Sequence, residues 1–260
     1  MASAKDLVVK PISASDANRI VKSLHYSGKV VQNSQLHLGV FLDGRCGGAM
    51  QFGPSLDKRK IQGLVSGTLW NEFIELNRMA FADWLPRNGE SRCIGYAMRW
   101  IRKTYPHIQW VVSFADGTQC GDGTIYRASG FALTGIKENA EIWQLPSGAR
   151  VATSSLRPGI GTMKNAGLTN GGSSMTAFRD AGAFPLSGFQ LRYIYFLDPS
   201  ARERLTVPAL PFSEIAKRGA GMYRGQPRAG SAGSGTPPTQ GGRGGATPTP
   251  ALSKQDPPRA

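Results

Sequence analysis

The stretch that decides the fold is Phe73-Ile74-Glu75-Leu76-Asn77-Arg78-Met79-Ala80-Phe81, followed closely by Arg87-Asn88-Gly89-Glu90-Ser91-Arg92. The first half of the apolar run alternates with polar residues, the period-2 pattern of a strand with one buried face. Pro86 and Gly89 mark a loop. From Ser91 to Thr104, the residues Ile94, Ala97, Met98 and Ile101 fall at i, i+3, i+4 and i+7, one face of a helix closed by Pro106. A strand feeding a loop and then a helix leaves free backbone N–H groups and the positive end of the helix dipole at the loop, which favours an anion. Arg87 and Arg92 flank that loop, Gly89 permits close approach, and Asn88 and Ser91 offer polar contacts, so a pyrophosphate fits. An ordinary capped helix with solvated arginines is the competing reading.

Working outward, Ile108–Ala115 is nearly continuously apolar and is expected to be a strand buried on both faces. Upstream lie a short strand at Leu7–Ile12 and a helix from Ser15 to Leu24 that stops at Gly28. Leu36–Leu42 and Cys46–Phe52 flank Asp43-Gly44-Arg45 as a hairpin. Downstream come a short helix over Thr124–Ser129, strands at Phe131–Ile136 and Ala140–Leu145 that read as a hairpin, and a last strand at Leu191–Leu197. The expected class is α/β (α+β), a mixed central sheet flanked by helices. Residues 146–188 are rich in Gly, Ser, Thr and Ala and read as a long, irregular basic loop. Residues 221–260 hold nine Gly, seven Pro and no Ile, Val, Phe or Trp, too little apolar surface to offset chain entropy. They read as a disordered tail beside a folded unit of residues 1–220.

The 260 residues carry a net charge of +14, and +10 of it remains when the tail is set aside. A polyanion is therefore the first partner to consider, against the plainer reading of a generally basic protein. No apolar run approaches the roughly 20 residues that span a bilayer, and the first ten residues have no signal-peptide core. Cys46, Cys93 and Cys120 form no close pair, so neither a disulfide framework nor a zinc site is indicated, and a cytoplasmic setting is expected. His25, His37 and His107 are likewise too scattered for a His-rich metal cage.

The order of elements resembles the N-acetyltransferase fold known as GNAT, over roughly residues 7–145. That fold holds an acyl-CoA pyrophosphate at the loop before the amphipathic helix, and it places a tyrosine ahead of a Gly-Phe pair, here Tyr126 ahead of Gly130-Phe131. The chain departs from the usual glycine-rich loop at Glu90-Ser91-Arg92. A narrower resemblance rests on five blocks: His25-Tyr26-Ser27-Gly28, Glu75-Leu76-Asn77-Arg78, Asn88-Gly89-Glu90-Ser91, Ser113-Phe114-Ala115-Asp116 and Gly123-Thr124-Ile125-Tyr126-Arg127-Ala128. In that order they are similar to motifs of the Mom family of phage DNA-modification proteins. The resemblance implies conversion of adenine in double-stranded DNA to an N6-carbamoylmethyl (acetamido) form, protecting phage DNA from host restriction. It also implies an acetyl-CoA-like ligand and an association with iron, in the cytoplasm of the phage's host.

On this resemblance His25, Tyr26, Asp116 and Tyr126 are the catalytic candidates, with His25 a base or an iron ligand. Arg78, Arg87, Asn88, Gly89, Ser91 and Arg92 are the cofactor-binding candidates. Each has a plainer reading: His25 favours a helix C-terminus, Asp116 caps an Ala-Asp-Gly turn, and Tyr126 is a core tyrosine. Arg78, in an apolar strand, needs a carboxylate such as Glu75 or a phosphate. No pair of histidines stands with a carboxylate as a facial iron triad requires, so metal ligands are left unassigned. Acting on an adenine amino group inside a duplex requires the base to be exposed. Trp70, Phe81, Trp84 and Trp143 are candidates to stack on it, and Arg150, Arg157, Lys164 and Arg179 to bind phosphates. The alternatives are an acyl-CoA-dependent N-acetyltransferase acting on a protein or small molecule, and a basic DNA-binding protein without activity.

Overall fold

Alternating apolar strands joined by short turns build one sheet through the middle of the protein. The computed structural model describes residues 2–153 and 175–228. In chain order the strands are β1 (Val8–Pro11), β2 (Leu36–Leu42), β3 (Arg45–Gly53), β4 (Phe73–Phe81), β5 (Trp110–Asp116), β6 (Ala132–Glu138), β7 (Ile142–Gln144), β8 (Arg150–Ala152), β9 (Phe184–Pro185) and β10 (Phe189–Phe196). The helices α1 (Ala14–Leu24), α2 (Lys58–Gln62), α3 (Gly89–Thr104) and α4 (Thr124–Ala128) lie between them. Seven strands form the central sheet in the order β1-β2-β3-β4-β5-β10-β6. All neighbours are antiparallel except β4 and β5, and α3 is the crossover that this parallel pair needs. The architecture is thus the mixed sheet flanked by helices that the sequence leads one to expect.

The β2–β3 hairpin turns at Asp43 and Gly44, both with positive φ (49° and 78°), as a type I′ turn requires. α3 buries Cys93, Ile94, Ala97, Met98 and Ile101, the face read from its periodicity. β5 is buried on both sides: Val111 and Ala115 enter the larger core with Leu38, Phe52 and Ile94, while Trp110 and Val112 enter a smaller one with Ile61, Phe73 and Ile194. In the smaller core Phe73 stacks on Trp110 at 4.6 Å, and the Trp110 indole donates to Thr68 Oγ1 (3.1 Å).

One departure from a regular sheet makes room for a site. β4 and β5 pair only from Phe73–Glu75 against Trp110–Val112. Past Glu75, β4 stays bonded to β3 while the other edge of β5 pairs with β10. Where the strands part, the Ser113 hydroxyl donates across to the Leu76 carbonyl (3.4 Å).

Three expectations need correction. β6 and β7 are no hairpin: β10 lies beside β6, whereas β7 pairs with β8 and β9 in a separate three-stranded sheet. The described parts of 146–188 are accordingly regular, with β8, β9 and the helix Met175–Asp180 packed around Trp143, Leu145, Phe178 and Ala183. Residues 154–174 lie outside the described residues. The folded part also runs beyond residue 220, since strands β11 (Met222–Tyr223) and β12 (Gln226–Pro227) form a hairpin with Met222 buried. The Arg224 and Gly225 N–H groups donate to the carbonyls of Cys120 (3.0 Å) and Gly117 (2.9 Å), fixing this hairpin on the turn after β5. Residues 229–260 lie outside the described residues. Among those described, no helix is long and apolar enough to cross a membrane.

Candidate active site

The gap between β4 and β5 is lined by polar groups from five separate parts of the chain. β4 brings Glu75, Asn77 and Arg78; β5 brings Ser113 and, at its end, Asp116; the following turn brings Cys120; α4 brings Tyr126; and the end of α1 brings His25 and Tyr26. The four catalytic candidates are therefore gathered at one place.

His25 caps the C-terminus of α1, its N–H donating to the Val21 carbonyl (3.0 Å). Its Nδ1 accepts the Ser27 backbone N–H (3.2 Å) and lies 2.8 Å from the Ser27 hydroxyl. A nitrogen that accepts an amide proton carries none itself, so the neutral ring bears its proton on Nε2. Burial, assisted by the Arg78 guanidinium, lowers the His25 pKa to about 4. His25 is thus a neutral hydrogen-bond donor, which departs from its expected role as a base. The Tyr26 ring stacks on it at 4.1 Å. Half of that ring is exposed, but the phenol end faces Cys120, Asp116 and Tyr126, and burial raises its pKa.

Tyr126 is buried, packed between Phe131 and Tyr193 with ring centroids 5.4 Å away on each side. Its phenol is hydrogen-bonded to Ser113, and burial pushes its pKa up. It is both a core tyrosine and a member of the polar cluster. Asp116 likewise joins the two readings: Oδ1 accepts from the Thr118 N–H (2.9 Å) and Oδ2 from Gln119 (3.1 Å), so it caps its own turn while facing Tyr26.

Two members escaped the sequence reading as site residues. Glu75 is raised in pKa by burial, against hydrogen bonds from Ser55 and Asn77 and the charge of Arg78. Cys120, also raised by burial, donates its thiol to the Asp116 carbonyl (3.1 Å). A carboxylate between Ile74 and Leu76 was the available signal for Glu75; nothing local distinguishes Cys120.

The expected cofactor residues divide. Arg87, Asn88, Ser91 and Arg92 line a cleft of about 890 Å³ together with Lys5, Gly95, Arg99, Ser129 and the chain from Ala2 to Ala4. Four cations face it, and no side chain caps the first turn of α3. Arg78 does not join this cleft; its Nε donates to the Lys29 carbonyl (3.1 Å) and Nη1 to the Asn77 carbonyl (2.7 Å), beside His25. Gly89 is buried for a reason other than ligand approach, because a Cβ there would fall 2.9 Å from Leu7 Cδ1. α4 links cleft and gap: Tyr126 faces the gap, Ala128 and Ser129 line the cleft, and Ser129 Oγ donates to the Ser91 carbonyl (3.3 Å).

Among the described residues, no three His, Cys, Asp or Glu side chains gather where a metal ion would be held. With His25 Nδ1 committed to Ser27, the residues present do not fit an iron centre. Of the phosphate candidates, Arg150 turns one nitrogen inward to the carbonyls of Thr118 (2.9 Å) and Arg224 (3.2 Å), whereas Arg179 is exposed above Trp143 (5.8 Å). Arg157 and Lys164 lie outside the described residues. Trp143 is only 3% exposed and Phe81 packs on the main core, so neither is free to stack on a base. Trp70 and Trp84 are exposed, each under a cation, Lys58 (4.4 Å) and Arg45 (4.3 Å).

Among solved structures the chain is similar to an IAA acetyltransferase from Bacillus cereus ATCC 14579, at 11% identity and a TM-score of 0.41 over 73% of this chain and 99% of that one. It is similar too to the ribosomal-protein-S18-alanine N-acetyltransferase from Escherichia coli, at 9% identity and a TM-score of 0.40 over 74% and 94%. In sequence it is 43% identical over 136 residues to the methylcarbamoylase mom of Escherichia phage Mu, a match spanning 52% of this chain and 56% of that relative. The model of the Mom protein family matches residues 6–214, a span that takes in all five blocks and the whole of the gap and cleft, and the chain belongs to that family.

Proposed function

We propose that this protein is a DNA-modifying transferase that places a carbamoylmethyl group on the N6 nitrogen of adenine in double-stranded DNA, protecting phage DNA from restriction. The observation that carries the reading is the convergence of His25, Tyr26, Arg78, Asp116 and Tyr126 on the gap between β4 and β5, next to a cleft with four cations. The Mu relative is named a methylcarbamoylase, which agrees with that product.

The cleft fits the phosphates of a coenzyme A thioester, with Arg87, Arg92, Arg99 and Lys5 as counter-charges and the start of α3 adding its dipole. Acetyl-CoA held there would supply the two-carbon unit. In the gap, Tyr126 keeps its proton at neutral pH and is placed to donate a hydrogen bond to an oxygen that gains charge during transfer. The amino group of adenine is weakly basic, so an acceptor must hold its proton as the new bond forms. Asp116 is placed for that task, with lone pairs left after its two turn bonds. His25 and Arg78 act as donors that orient the acceptor. The net positive charge, with exposed Arg179 part of it, would hold the DNA backbone.

The test is expression in a plasmid-bearing host followed by mass spectrometry of the plasmid nucleosides. A deoxyadenosine heavier by one carbamoylmethyl group is expected with the wild type and should vanish with Asp116→Ala. Unmodified plasmid from cells holding well-folded protein would overturn the reading.

A further inference from the structure

Leu56 is fully exposed (100%) although the residue before it is buried and belongs to the polar gap. Ser55 is 4% exposed and hydrogen-bonded to Glu75, whose carboxylate also feels Arg78 and lies in the surroundings of Tyr126. Consecutive α-carbons are about 3.8 Å apart, so Leu56 stands on the rim of the gap. The segment carrying it is pinned: the Pro54 carbonyl accepts from Asn33 and Asn77 (3.4 Å each), and Asp57 Oδ1 accepts the Lys60 N–H (3.4 Å) at the start of α2. An apolar side chain is thereby held out in solvent on a short, fixed turn.

What surrounds it is basic. Lys58, Arg59 and Lys60 follow directly, Arg59 and Lys60 are exposed, and Lys58 lies over the exposed Trp70. A protruding leucine ringed by cations, at the mouth of a polar pocket, is complementary to duplex DNA: cations for phosphates, an apolar wedge for the base stack.

We propose that Leu56 inserts into the duplex and fills the space left when the target adenine turns out into the gap, with Lys58, Arg59 and Lys60 on the flanking phosphates. The inference rests on the reading that the acceptor is an adenine in double-stranded DNA. The wedge lowers the cost of opening the pair, because the leucine exchanges water for stacked bases. Burying one leucine shifts such an equilibrium by about 10- to 100-fold.

Two readouts test it. In the plasmid assay, Leu56→Ala should give at least about tenfold less modified deoxyadenosine than the wild type, and Leu56→Met should retain most of it. In binding measured by fluorescence anisotropy, one labelled duplex pairs the adenine with thymine and another sets it opposite a pyrene nucleotide, which fills a whole base-pair space and forces the base out. Leu56→Ala should weaken binding to the first several-fold and leave binding to the second at the wild-type level. Equal modification by wild type and Leu56→Ala, or equal weakening on both duplexes, would overturn the wedge. If the wild type leaves plasmid unmodified, the functional reading fails by itself. The anisotropy pair then still decides whether Leu56 assists opening of a duplex.

Discussion

Gly123 lies against the ring of Tyr193 so closely that a Cβ on it would fall 2.4 Å from Cε2, and its φ of +79° belongs to the left-handed region. The Tyr193 hydroxyl donates to the Asp122 carbonyl (2.5 Å), so strand β10 grips the residues that start α4. Gly123→Ala therefore meets both a clash and backbone strain. It should lower stability by about 2–4 kcal/mol and displace Tyr126, which lies three residues on. Urea unfolding and the plasmid assay should fall together; a variant with wild-type stability would show that the contact yields easily.

Tyr126→Phe separates chemistry from packing. The ring still fills the space between Phe131 and Tyr193, and only the hydroxyl bonded to Ser113 is lost. Stability should change by about 1 kcal/mol or less, while modified deoxyadenosine falls by about 10²–10⁴-fold. Wild-type yield from Tyr126→Phe would remove the phenol from the mechanism.

The neutral His25 makes folding sensitive to acid. Its pKa is about 4 in the folded protein against an ordinary value of 6.5, so between these values the unfolded chain binds the extra proton. Stability is complete above pH 6.5 and is lost as pH falls towards 4, by about 2–3 kcal/mol in all. Against the wild type, His25→Gln should be less stable at pH 7, and the difference should shrink as pH drops to 4. A difference that stays constant across that range would contradict the buried neutral ring.

The cleft before α3 predicts a charge-dependent affinity for coenzyme A. Arg92→Ala and Arg99→Ala should each weaken coenzyme A binding by about tenfold in calorimetry, the size of a lost charge-assisted bond. Pantetheine, which lacks the nucleotide phosphates, should bind wild type and variants alike. Unchanged coenzyme A affinity in both variants would place the ligand elsewhere.

Arg150 and Arg179 should behave differently although they read alike in the sequence. Arg179→Ala should reduce the slope of log affinity against log salt by about 1, as for one phosphate contact. Arg150→Ala removes the donor to the Thr118 and Arg224 carbonyls and should show itself mainly as a lower melting temperature. A reduced slope with intact stability for Arg150→Ala would return it to the DNA interface.

The periodicities of β1 to β5, α1 and α3 were legible because each buries a face with its own regular spacing. The pairing of β6 was not legible, since β10, some fifty residues later, takes the position that adjacency would give to β7. The catalytic candidates were found through local motifs, but their roles depended on contacts no motif carries. The Ser27 N–H fixes the proton of His25, and Leu7 accounts for Gly89. Glu75 and Cys120 join the site only because β4 and β5 part after a three-residue pairing, a property of two strands together.

The hairpin at Met222–Pro227 bears on how the chain can be shortened. Arg228 Nη1 reaches the buried Asp122 carboxylate (3.3 Å), which is also held by Arg127 (3.2 Å), at the residue from which α4 begins. A chain cut after residue 220, where composition places the end of the domain, would lose Met222 from beneath the turn after β5 and one of the two cations on Asp122. The shortest active fragment should therefore end beyond Arg228, and a protease that clips before it should silence the site without touching any residue that lines it.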